Sequence, residues 1–223
     1  MSIWSRISAA LSALASGEPL SDVFDRLRTP PEKGVAFTIA VIALGAKLAK
    51  ADGEVTRDEV RAFREVFIIA EADEANAARV FNLARQDVAG YDVYARRIAA
   101  LFEDGHEVLR DLMEGLFHIA IADGDYHEAE NEILAQVAKI FGLSDLEFRS
   151  LRARSVPDAE PDPYEVLGVS PEMPLAEIRK VWHREVRTSH PDVMIARGVP
   201  EEAIRMAEQR LIALNRAWEQ ISA

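Results

Sequence analysis

The sequence contains no cysteine. Disulfides, thiolate nucleophiles, cysteine-ligated zinc and iron–sulfur clusters are therefore excluded, and the chain suits a reducing compartment. Aromatic residues are scarce at 7%, whereas 49% of residues are hydrophobic and 29% charged, a balance that suits a soluble helical protein rather than a disordered or fibrous one. Positive charge is in deficit, with 26 Lys and Arg against 38 Asp and Glu and a net charge of −12. Nucleic-acid binding draws much of its affinity from Lys and Arg at phosphates, so that class of partner is disfavoured. Long apolar runs are also missing. Residues 3–15 are interrupted by Arg6 and lack a small-residue cleavage site, and residues 35–46 contain Thr38 and Gly45; both fall short of the roughly 18 residues a membrane span needs. No glycine-rich phosphate loop or nucleophile elbow is present, and His127-Glu128-Ala129-Glu130 is not the zinc-protease pattern, so no catalytic activity of its own is expected.

What is present is helical periodicity throughout, and an all-α fold is expected. In residues 1–30, Ile3, Ile7, Leu11 and Leu14 lie at helical spacing and predict an amphipathic helix that docks on the protein or touches a membrane surface. Residues 28–34, Arg-Thr-Pro-Pro-Glu-Lys-Gly, form a turn before the first domain. An internal repeat follows: Ala49-Lys50-Ala51-Asp52-Gly53-Glu54-Val55 recurs as Ala120-Ile121-Ala122-Asp123-Gly124-Asp125-Tyr126, and Glu59 corresponds to Glu130. Each copy reads as a helical hairpin, in which glycine stops the first helix and acidic residues favour the start of the second. Val60, Phe63 and Phe67 in one copy, and Ile133, Val137 and Ile140 in the other, mark the inner face. With helices near 74–85 and 92–102 between them, the hairpins make a bundle over residues 31–154. This stretch resembles the TerB family of tellurite-resistance proteins. Its Asp52, Glu54 and Glu59, and Asp123, Asp125 and Glu130, could offer oxygens to a divalent cation, although they do not match an EF-hand and helix capping explains them more simply.

Residues 155–162, Ser-Val-Pro-Asp-Ala-Glu-Pro-Asp, read as a semi-rigid linker. Beyond it, in residues 163–223, a short Pro163-Tyr164-Glu165-Val166-Leu167 helix closes at Gly168. Pro174 opens a longer helix with an apolar stripe of Ile178, Val181, Trp182 and Val186, and a basic one of Lys180, Arg184 and Arg187 beside Arg179. It must end near Ser189, because a residue before proline leaves the α region and His190 precedes Pro191. After a loop over residues 193–200, a helix beginning near Pro200 carries Ile204, Ala207, Leu211, Leu214, Trp218 and Ile221, the seam of an antiparallel helical hairpin. Trp182 and Trp218 are expected to pack in the core.

A lone His-Pro-Asp arises by chance in roughly a few per cent of chains this long. Set between a basic helix and an apolar-seamed one, behind a Tyr-x-x-Leu-Gly helix, it resembles the J domain of DnaJ-type co-chaperones, in particular DjlA-type proteins, which also carry a TerB region. The resemblance implies a co-chaperone that stimulates ATP hydrolysis by a DnaK-type chaperone, with the TerB-like domain for targeting or sensing. His190 and Pro191 would shape the docking loop, Asp192 would offer a carboxylate, and Arg179, Lys180, Arg184 and Arg187 would steer an acidic surface. Three positions depart from the pattern: Glu185 replaces a leucine, Ser189 an aromatic residue, and Val193 a basic one. Glu185 and Ser189 support an alternative, a stress-response scaffold or divalent-metal sensor with a degenerate J domain. DjlA-type proteins typically carry an N-terminal membrane anchor; a cytoplasmic location is expected here, with peripheral membrane contact and oligomeric state left open.

Overall fold

The computed structural model describes residues 32–51, 90–102, 105–121, 126–156, 161–200 and 204–223. Every regular element among them is an α-helix: α1 (Glu32–Ala51), α2 (Tyr91–Leu101), α3 (His106–Ala120), α4 (Glu128–Ile140), α5 (Asp145–Ser155), α6 (Pro163–Leu167), α7 (Leu175–Thr188), α8 (Pro191–Arg197) and α9 (Ile204–Ser222). None of the described helices is long and apolar enough to cross a membrane. The N-terminal segment, the helix expected near 74–85, and both Ala-Asp-Gly turns lie outside the described residues.

The centre of the first half is α3. All residues from Val108 to Phe117 are buried, as expected of a helix enclosed by neighbours on every side. It packs against α1, α4 and α5, while α2 packs on α1 and α4. Phe37, Ile42 and Leu44 of α1 meet Leu112, Met113, Leu116 and Phe117 of α3 in one apolar cluster. Glycine permits the close approach of α1 and α3: a Cβ at Gly45 would lie 2.8 Å from Ile119, and one at Gly115 would lie 3.4 Å from Val41 and 3.7 Å from Met206 of α9. Local chemistry fixes the starts of α4 and α5. The carboxylate of Glu130 accepts the His127 N–H at 2.9 Å, and Ser144 and Glu147 form a reciprocal capping box on α5.

In the second half, Asp162 caps α6, Pro163 occupies its first turn, and Gly168 ends it at φ 64°. Ile178 of α7 is buried with Val166, Leu167, Leu214 and Ala217, and Val181, Val186 and Ile221 pack partly against them. Trp182 and Trp218 stack at 5.0 Å between ring centroids, but at the margin of this cluster rather than within it. Trp182 keeps its indole N–H at the edge, donating to Asn215 at 3.0 Å.

Two further expectations are corrected. Helix α1 begins at Glu32, inside the stretch expected to be a turn. The stretch after Asp192 is not wholly loop: residues Pro191–Arg197 form α8. Pro191 supplies a helical φ in the first turn, His190 caps the start, Gly198 closes the end at φ 102°, and Met194 is buried beneath. Met194, Val199, Met206 and Ala207 belong to the same apolar cluster as α1 and α3. Helix α9 thus spans both cores, its first half in the bundle's and its second half, through Leu214 and Ala217, in the hairpin's.

Candidate functional site

His190 stands at the junction of α7 and α8. Its Nδ1 accepts the Asp192 backbone N–H at 3.3 Å, a role that places the ring proton on Nε2. The His190 side chain is 59% exposed and that of Asp192 87%, so the motif presents an imidazole edge and a carboxylate outward from a rigid turn. Proline fixes φ between them.

The basic residues line the exposed side of α7. Arg179 and Arg187 point to solvent, Lys180 pairs with Glu177 at 2.7 Å, and Arg184 donates to Glu185 at 3.3 Å. The structure therefore brings His190, Pro191, Asp192, Arg179, Lys180, Arg184 and Arg187 onto one helix and the turn that ends it. Of the acidic residues considered for metal, only Glu130 is described, and its carboxylate serves the α4 cap; Asp52, Glu54, Glu59, Asp123 and Asp125 lie outside the described residues.

Behind this surface lies an ionic network that sequence reasoning missed. Both carboxylate oxygens of Asp111 on α3 are occupied, one by Arg210 of α9 at 2.7 Å and one by Arg197 of α8 at 2.9 Å. Glu114 pairs with Arg210 as well, and Arg110 donates to Glu185 of α7 at 2.9 Å. Asp111, Glu114, Arg110, Glu185 and Arg210 are all buried. Burial pushes the Asp111 carboxyl up against the pull of Arg210 and Arg197. At Glu114 burial acts in the same sense but Arg210 outweighs it, and at Glu185 Arg110 does, so both stay below the usual carboxylate range. Burial alone would lower Arg210, yet Glu114 and Asp111 hold it well above the ordinary arginine value. Nearby, burial takes Arg154 down to about 10 despite Glu114; its guanidinium, with Ser150, donates to the Val166 carbonyl at the end of α6.

The signal that could have found the network is the trio Arg110, Asp111 and Glu114 inside the otherwise apolar Leu109–Phe117 stretch. Arg210, beside the Ala207–Leu214 seam of α9, is its counterpart.

A TerB bundle with a His-Pro-Asp hairpin packed on it is the class that this fold and site define. The family model of the tellurite resistance protein TerB matches residues 38–153, more than half of the chain, and the chain belongs to that family. Its likeness extends further, to DjlA co-chaperones. It is 28% identical over 196 residues to the co-chaperone protein DjlA of Coxiella burnetii, covering 78% of this chain and 72% of the relative. To the DjlA of Mannheimia succiniciproducens it is 25% identical over 250 residues, covering 92% and 84%. To that of Photobacterium profundum it is 23% identical over 217 residues, covering 85% and 78%. No solved structure matches the chain.

Proposed function

We propose that the protein is a J-domain co-chaperone that stimulates ATP hydrolysis by a DnaK-type chaperone, with its TerB-like bundle serving targeting or sensing. The observation that carries this reading is the His190–Asp192 turn, exposed at the end of a basic helix and held from behind. The co-chaperone relatives support it. The chain makes and breaks no covalent bond in this account; the chaperone hydrolyses its own nucleotide. Asp192 would engage a cationic group of the partner, and Arg179, Lys180, Arg184 and Arg187 would draw in an acidic surface, raising the association rate more than the affinity. A cytoplasmic location, with peripheral membrane contact left open, accompanies the proposal.

The alternative of a degenerate J domain in a scaffold or metal sensor loses one of its grounds, since Glu185 is buried in an ion pair rather than stranded in an apolar seam. The test is single-turnover ATP hydrolysis by a DnaK-type chaperone with wild type and with His190→Gln. Stimulation by the wild type that the variant loses is the expected result; no stimulation by the wild type would return the reading to the scaffold.

A further inference from the structure

Resting on the co-chaperone reading, we infer that the TerB bundle braces the His-Pro-Asp turn, and that the docked arrangement is the one competent to engage a chaperone. Arg110 and Asp111 are neighbours on α3 with opposite charge, and between them they grip every helix around the turn. Arg110 holds Glu185, five residues before His190; Asp111 holds Arg197, five residues after Asp192, and Arg210 on α9. Met194 of α8 is 1% exposed in the bundle's core, so the helix that Pro191 and Asp192 begin is seated on TerB side chains.

Two features make this a brace rather than a cover. The gripping contacts all lie on the buried side, while His190, Asp192 and Lys180 keep 59%, 87% and 72% exposure of their side chains. The Glu185 carboxylate also reaches in two directions, with one oxygen on Arg110 of the bundle and the other on Arg184 of the basic face. The residue that departs from the J-domain leucine is thus the tie between the two halves. Arg110, Glu185, Asp111, Arg197 and Arg210 act through the turn as positioning residues. Several buried, mutually paired charges fix one docking register, because any other would strand them.

The test compares wild type, Arg110→Met, Glu185→Leu and the double variant by single-turnover ATP hydrolysis with a DnaK-type chaperone, and by hydrogen exchange of amides 193–199. Each single change leaves a buried charge without its main partner; the double change removes both and leaves apolar side chains to pack. The brace predicts that each single variant loses roughly tenfold in maximal stimulation, the effect of cutting the docked population to about a tenth. It also predicts that their α8 amides exchange faster, and that the double variant recovers both properties. Single variants that stimulate as well as wild type, or better, would overturn the brace, better stimulation marking the contact as a restraint. A wild type that stimulates nothing would refute the co-chaperone reading instead, and the exchange rates would then decide the brace alone: unchanged rates overturn it.

Discussion

Ser189 precedes the His-Pro-Asp turn, is fully buried, and its hydroxyl has no hydrogen-bond partner among the described residues. A buried hydroxyl without a partner typically costs about 1–3 kcal/mol relative to a satisfied one. Ser189→Ala is accordingly expected to stabilise the protein by about 1 kcal/mol, read as a rise in the thermal unfolding midpoint with no change in the exposure of His190. A drop in the midpoint would mean that the hydroxyl is bonded. Glu147 gives a second prediction at this scale. Burial works to raise its carboxyl, but the Ser144 N–H and hydroxyl, with His106 Nε2 at 2.7 Å, outweigh that and hold it near 2 rather than the ordinary 4.5. A carboxylate depressed by folding contributes stability in full above its unfolded value and loses it as pH falls through the folded one. The gap in thermal midpoint between wild type and Glu147→Gln should therefore narrow as pH falls from 4.5 toward 2. A gap independent of pH would refute the assignment.

At the scale of elements, the caps are the most directly testable features. Ser144→Ala removes the α5 cap, and a loss of about 1 kcal/mol in urea-induced unfolding is expected. Helix α7 was legible in the sequence because Ile178, Val181, Trp182 and Val186 keep a helical period over several turns. Helix α8 was not. Its seven residues are too few for a period to show, Pro191 and Gly198 read as loop punctuation, and what stabilises it is the burial of Met194 against a bundle far away in sequence. The exposed part of the candidate site was readable from its motif, since His190, Pro191 and Asp192 are contiguous. The part behind it was harder to read because charged residues ordinarily mark solvated faces; the apolar surroundings of Asp111 and Glu114 hint at burial, but their partners on α8 and α9 appear only once those helices are brought against α3.

Over the whole molecule, charge is used in two ways that salt should separate. The outward charges of Arg179, Lys180 and Arg187 are open to screening, whereas Arg210 and Asp111 are enclosed and largely shielded from it. Raising ionic strength is expected to increase the concentration of protein needed for half-maximal chaperone stimulation, while leaving the maximal stimulation and the exchange of the α8 amides unchanged. A fall in the maximum with faster exchange would show that the internal network is screened too. The central claim is that the turn at residues 190–192, held outward by the bundle, activates a chaperone's ATPase. The most direct measurement is a single-turnover rate of ATP hydrolysis by a DnaK-type chaperone alone, with the wild-type chain, and with His190→Gln. The account predicts acceleration by the wild type and a return to the unstimulated rate with the variant, both proteins being equally folded; equal acceleration by the two would contradict it.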